Sequence, residues 1–167
     1  MKNKIRQLII LSVIILTVLC LAFIFGNSLK DGAESGEQSM AVKRMLLAIA
    51  DFLGIEGNIN LALLRNLAHV AEFCLLGLCI GSLSLYLSRR KYPTSISRYS
   101  IFLSASIGTG VLIAIVDELI QLGSVGRACE IKDVLLDVAG IIVGNILAIL
   151  FYFIIIKLRN ASRRAQK

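Results

Sequence analysis

The sequence predicts an all-α membrane protein with four transmembrane helices. Hydrophobic residues make up 57% of the 167 residues, above the roughly 45–50% usual for soluble domains. Four apolar runs cover residues 7–25, 67–87, 100–122 and 134–156, and about 20 such residues cross a bilayer. Backbone groups in lipid are satisfied only in helices or closed barrels, and the runs lack the alternation of barrel strands. Residues 1–167 are therefore predicted to form one helical membrane domain.

Basic residues predict the orientation of the chain. They precede the first span, separate the second from the third, and follow the fourth: Lys2, Lys4, Arg6, Arg89, Arg90, Lys91, Arg98, Lys157, Arg159, Arg163, Arg164 and Lys167. Because Lys and Arg favour the cytoplasmic side, both termini are predicted to lie inside. These basic clusters, more than the net charge of +7, are predicted to anchor the topology and to contact anionic lipid. Nucleic-acid binding is disfavoured because the clusters flank membrane segments.

The first 53 residues contain three different segments. The basic residues at the start of the chain resemble the beginning of a signal peptide. The apolar run after them is longer than that of a usual signal peptide, and no A-x-A cleavage site follows it, so an uncleaved spanning helix is predicted. Residues 26–39 (GNSLKDGAESGEQS) are polar and rich in Gly and Ser, which predicts an exposed loop. Residues 40–53 carry apolar side chains at helical spacing but are too short and too charged to span. An amphipathic helix at the outer interface is predicted there.

The second span begins with a polar stripe. Arg65, His69 and Glu72 follow at spacings of four and three residues, which places them on one helix face. One interpretation is an internally paired stripe that orients the helix. The other is a functional site, because ionisable groups are costly within a membrane.

A second stripe opens the fourth span. Asp133 and Asp137 are followed on the same face by Gly140 and Gly144. Gly-x-x-x-Gly is a packing pattern of membrane helices, so the glycines are predicted to bring a neighbouring helix against this face. The aspartates would then point into the same seam, which packs either within one chain or between two copies.

The predicted topology brings these groups to one end of the bundle, on the outer side. The candidate catalytic residues are His69, Asp117, Glu118, Asp133 and Asp137. The candidate substrate-binding residues are Arg65, Glu72, Gln121 and Arg127. Together they predict a shared polar pocket at the extracytoplasmic end of the spans.

Several chemistries fit this pocket. Crowded carboxylates hold a proton or a cation, and Asp117, Asp133 and Asp137 are oxygen ligands of the kind that Mg²⁺ prefers. General acid–base work would use a carboxyl group with His69. Arg127 in its glycine-flanked loop suits a phosphate or carboxylate. Alternatively, the arginines only neutralise the aspartates and lock the helices together.

Two segments resemble the VanZ-like family of bacterial membrane proteins. R-N-L-A-H-V-A-E-F from Arg65 is similar to the signature R-K-x-A-H-x-x-E-[YF]. The residues from Asp117 to Gly144 are similar to D-E-x-x-Q…G-R…D-x-x-x-D-x-x-G-x-x-x-G. A weaker likeness is the serine pattern after the first span, Ser28, Ser35 and Ser39. The chain departs from the family at Asn66 (often Lys), at Ile120 (often His), and in Gly123-Ser-Val125, which replaces a Phe-x-Pro.

The resemblance implies a bacterial cytoplasmic-membrane protein acting at the outer face, in a family named after a member associated with low-level teicoplanin resistance. One hypothesis is a protein that binds lipid, a lipid-linked envelope precursor or a lipoglycopeptide, and so changes glycopeptide susceptibility. The other is an integral-membrane enzyme for metal-assisted phosphoryl or acyl transfer, or hydrolysis, on a lipid-linked substrate. A transporter is disfavoured because polar groups are expected only in the outer halves of the spans. The inner halves are expected to be plainly apolar, which leaves no polar path across the membrane.

Overall fold

The computed structural model describes residues 2–91 and 95–165 and contains five helices in these ranges. They are α1 Lys2–Ser28, α2 Gly32–Phe52, α3 Leu61–Lys91, α4 Ser95–Leu122 and α5 Ile131–Ala165. Four contain segments long and apolar enough to cross a membrane: Lys4–Ser28, Leu61–Leu87, Leu103–Leu122 and Ile131–Leu158. The predicted all-α class with four spans is confirmed. The orientation stays a prediction, and several basic side chains behind it, including Arg89 and Arg98, lie outside the described ones.

The pair α3 and α5 has the most extensive contact between helices, and glycines make the close approach possible. A Cβ added at Gly140 would lie 2.5 Å from the carbonyl oxygen of Val70, and one at Gly77 would lie 2.6 Å from that of Ile141. A Cβ at Gly144 would collide with the carbonyl oxygen of Cys74. The glycine face of α5 therefore packs against α3 within one chain, as small residues allow in membrane helices.

The buried core lies between these helices, and the outer surface is apolar. Phe73, Leu76 and Ile141 are fully buried, with Ile24 of α1 and Ala114 of α4 packed around them. The outward side chains of the spans are large, apolar and exposed, for example Leu8, Leu112, Leu135 and Ile155. So much contiguous apolar surface is typical of helices that contact lipid.

The prediction of an exposed loop at residues 26–39 is wrong. Helix α1 continues to Ser28, and α2 begins at Gly32, well before the predicted start at residue 40. Asp31 is the N-cap of α2, since its side chain accepts a hydrogen bond of 2.8 Å from the Glu34 backbone N–H. This cap overrides the Gly and Ser content of the segment. No α2 residue is buried, and its place at the membrane interface stays a prediction.

The connection between α4 and α5 folds over the start of α2. The Gly32 backbone N–H donates a hydrogen bond of 2.9 Å to the carbonyl of Val125. Gly126 has a φ of +75°, which suits glycine, and a Cβ added at Gly32 would lie 2.6 Å from its carbonyl oxygen. This contact places Arg127, the next residue, beside α2.

Candidate functional site

A buried polar cluster occupies one end of the bundle, and Asp117 is at its centre. The Asp117 carboxylate is completely buried. Ser28, at the end of α1, donates a hydrogen bond of 2.5 Å to Oδ1, and Gln121, one turn along α4, donates one of 2.9 Å to Oδ2. Two helices therefore fix the position of this carboxylate.

His69 of α3 and Asp137 of α5 face each other beside Asp117. The distance from His69 Nδ1 to Asp137 Oδ1 is 3.5 Å, longer than a normal hydrogen bond. Asp137 is completely buried, and neither of its oxygens has a hydrogen-bond partner among the described residues. One ligand atom from each of His69, Asp117 and Asp137 lies within 4.8 Å of the others, so the three side chains could hold a metal ion.

A cavity of about 260 Å³ adjoins this cluster. Its polar lining comes from α1, α2, α3 and the α4–α5 connection: Asn27, Ser28, Ser35, Gln38, Ser39, Arg65, His69, Glu72 and Arg127. Its apolar lining consists of Phe23, Val42, Leu64 and Ala68. The cavity is thus amphipathic, and His69 belongs both to its wall and to the buried cluster.

Two arginines line this cavity, and neither forms an ion pair with a described residue. Arg127 donates a hydrogen bond of 2.6 Å from Nη2 to Ser35 Oγ, while its buried Nε has no hydrogen-bond partner within the part of the chain that the structure describes. Among the described residues, no carboxylate lies within 4 Å of either Arg65 or Arg127. Burial, and then the nearby Arg65, lower the pKa of Arg127, although a guanidinium stays protonated. The alternative in which the arginines pair with the aspartates is therefore not supported by any ion pair between described residues.

Glu72 is connected to α1 rather than to the arginines. Asn27 donates a hydrogen bond of 3.2 Å to Glu72 Oε1, and Lys30 donates one of 2.8 Å to the Asn27 side-chain oxygen. Sequence reasoning missed Asn27, because it lies in the segment interpreted as a loop. It included Ser28 only in a weak serine pattern. Once α1 is known to extend to Ser28, both residues can be assigned to its last turn.

Glu118 and Asp133 lie apart from the cluster. Glu118 is buried and accepts a hydrogen bond of 3.0 Å from the Glu130 backbone N–H, just before α5. Asp133 is half-buried and lines a different cavity of about 480 Å³, together with Lys132. Of the three aspartates predicted to bind a cation, the structure brings Asp117 and Asp137 together and adds His69.

The expectation that the opposite halves of the spans are plainly apolar is wrong. Ser106 of α4 and Asn145 of α5 are buried outside the cluster. The Asn145 side-chain amide donates a hydrogen bond of 2.8 Å to the Ile141 carbonyl, and its oxygen approaches Gly81 of α3. Asn145 thus fills the space left by a glycine in the α3–α5 contact, a local packing feature that residue spacing did not reveal.

These features define a multi-pass helical membrane protein with a buried polar site at one end of its bundle. The family model described as VanZ/LLP1 matches residues 13–153, which include every candidate site residue. The chain belongs to this family, as the sequence motifs predicted. Comparison with curated proteins and with solved structures gave no match.

Proposed function

We propose that this protein binds the anionic head group of a lipid-linked envelope molecule in the amphipathic cavity. The observation that carries the proposal is the pair Arg65 and Arg127, which line one cavity and form no ion pair with a described carboxylate. Partly buried charges need a partner of opposite sign. Guanidinium groups bind phosphate and carboxylate through paired hydrogen bonds, so an anion of that kind is the expected ligand.

The rest of the cavity suits an amphiphile. Phe23 and Leu64 belong to two membrane-spanning helices and offer apolar surface to an acyl or prenyl chain. The volume of about 260 Å³ accommodates a head group but not a whole lipid, so the chain would extend along the helices. Helix α2 contributes Ser35 and Val42 to the same lining, so it would lie against a bound head group.

The predicted orientation gives this binding a biological setting. The basic residues favour an N-in, C-in topology, which would put the cavity at the extracytoplasmic face of a bacterial cytoplasmic membrane. There the protein would bind an envelope precursor and so change envelope properties and susceptibility to glycopeptides of the teicoplanin type. Family membership supports this last step.

Binding of polyprenyl phosphate and of polyprenol to the purified protein in nanodiscs tests the proposal. The phosphate form should bind and the alcohol should not. Arg127→Gln should weaken binding by roughly 10- to 100-fold, because a hydrogen bond to a charged group contributes about 1.5–3 kcal/mol. Arg127→Lys should be intermediate, and Arg44→Gln, on the exposed surface of α2, should bind like wild type. Equal affinity for the phosphate and the alcohol would refute the proposal.

A second candidate is an enzyme acting on the same lipid-linked substrate. It is favoured by the hydrogen bond of 2.5 Å from Ser28 Oγ to Asp117, because Ser28 lines the cavity and a carboxylate there can accept a hydroxyl proton. Asp117→Asn separates the two functions. An enzyme predicts altered lipid species in cells carrying this variant, whereas a binding protein predicts altered glycopeptide susceptibility with an unchanged lipid profile.

A further inference from the structure

We propose that His69, Asp117 and Asp137 form a binding site for a divalent transition-metal cation of the zinc or manganese type. The three residues come from α3, α4 and α5, and their ligand atoms lie within 4.8 Å of one another. The site does not depend on the anion proposed above, because the metal alone can be measured.

The unpartnered groups in the cluster point to a cation. Both oxygens of Asp137 and Nδ1 of His69 lack a hydrogen-bond partner among the described residues, and Asp137 has no exposed surface. A buried carboxylate without a partner is costly, and most buried polar groups in native proteins are satisfied. A metal ion between Asp137 and His69 would satisfy both at once.

The hydrogen bonds of Asp117 fit the same role. Ser28 and Gln121 each donate to a different oxygen of its carboxylate. Each oxygen accepts more than one bond, so both can still coordinate. Metal-binding carboxylates are commonly oriented by such neighbouring donors. The two donors come from α1 and α4, which would make all four spanning helices contributors to the site.

The ligand types favour a transition metal over Mg²⁺. Imidazole suits zinc and similar ions, whereas Mg²⁺ is bound mainly by oxygen and water. Zinc binds imidazole nitrogen and carboxylate oxygen at about 2.0–2.2 Å, so two ligand atoms of a tetrahedral site are about 3.4 Å apart. The distance of 3.5 Å from His69 Nδ1 to Asp137 Oδ1 is already close to that value.

The cluster is also reachable by a ligand. His69 lines the cavity of about 260 Å³, whereas Asp117 and Asp137 lie behind it and are completely buried. Three protein ligands beside an open space are typical of metal sites that bind substrate or water as a further ligand. An anionic group in the cavity would then be attracted by the metal as well as by the arginines.

The test uses untagged, chelator-treated protein carrying Cys129→Ser, which removes the exposed thiol. Equilibrium dialysis with Zn²⁺ and with Mn²⁺ should give one bound ion per chain for at least one of them. His69→Gln and Asp137→Asn should each lower the affinity at least tenfold. Asp133→Asn is the matched control, one turn away on the same helix but outside the cluster, and its affinity should be unchanged.

A second readout separates metal binding from a structural ion pair. The chain has one histidine, so a ¹⁵N imidazole resonance reports on His69 alone. It should shift on addition of Zn²⁺ in the wild type and in Asp133→Asn, but not in Asp137→Asn. The proposal is overturned if neither Zn²⁺ nor Mn²⁺ binds the wild type, if Zn²⁺ binds without moving this resonance, or if Asp133→Asn and Asp137→Asn lose affinity equally. If neither ion binds while the polyprenyl phosphate still does, this site is refuted and the proposed function stands.

Discussion

Gly140 is the position at which the helix packing and the site can be tested together. It lies where α5 contacts α3, and a Cβ there would be 2.5 Å from the Val70 carbonyl oxygen, 3.0 Å from the Cys74 backbone nitrogen and 3.0 Å from the Phe73 Cβ. Two of these three atoms belong to the backbone, so rotation of a side chain cannot relieve the contacts. Gly140→Ala therefore forces the two helices apart.

The size of the effect follows from the geometry. An ordinary Cβ contact begins near 3.4 Å, so the Val70 carbonyl has to move by close to an ångström. Overpacking of this kind costs about 1–3 kcal/mol. The gain in helix propensity from Gly to Ala, at most about 1 kcal/mol, offsets only part of it. Because Val70 follows His69 directly, the same movement separates His69 from Asp137.

Unfolding in detergent micelles measures this cost, with Gly108→Ala as the matched control. Gly108 is a helical glycine in the third span, and a Cβ there meets nothing within 4 Å. Gly108→Ala should be neutral or stabilising, whereas Gly140→Ala should unfold at a lower temperature and lose metal affinity. Equal stability of the two variants would refute the close packing of α3 on α5 and the position of the site between them.

Two further predictions concern orientation and the support of Asp117. Cys129 is exposed in the α4–α5 connection and Cys20 is buried, so an impermeant thiol reagent added to intact cells should label Cys129 and spare Cys20. Labelling of Cys129 only after lysis would reverse the orientation. Desolvation, and then the Glu118 carboxylate, raise the pKa of the Cys129 thiol, so its thiolate fraction at neutral pH is reduced. Because the pKa is raised, the labelling rate should keep increasing with pH beyond about 8.5, the pKa of an ordinary thiol. Ser28→Ala removes a donor to buried Asp117 and should cost about 1–3 kcal/mol in thermal unfolding, whereas exposed Ser12→Ala should cost little.

The sequence was sufficient to predict the spans and the residues that share a face. Both depend on periodicity along one helix, and Arg65 with His69, or Asp137 with Gly140, follow from the spacing alone. The segment at residues 26–39 was misjudged because Gly and Ser favour loops on average. In the structure Asp31 caps a helix there, and the α4–α5 connection holds its first turn through Gly32 and Ser35.

The membership of the cluster could not be read from spacing. Asp133 and Asp137 share a face but are four residues apart, about 6 Å along the helix axis. Side chains four residues apart on a helix can reach one ion, so the spacing leaves both aspartates open, and in the structure one of them lies within 4.8 Å of His69 and Asp117. Which one depends on how far α5 slides along α3, and the glycine contacts of Gly140 and Gly144 fix that register. Only the tertiary packing selects Asp137.

Among the described residues, the arginines and the acidic groups at this end of the bundle form no ion pair with one another, and their separation is informative. If Arg65 and Arg127 served only to neutralise the acidic groups, direct ion pairs would be the least costly arrangement in a low-dielectric region. Instead the arginines line the cavity, and Asp117 and Asp137 lie behind it with no described arginine in contact. Such an arrangement costs stability, and a departure of this kind is typical of functional sites. An anion in the cavity and a cation at His69, Asp117 and Asp137 would each satisfy one set, and each would strengthen the binding of the other.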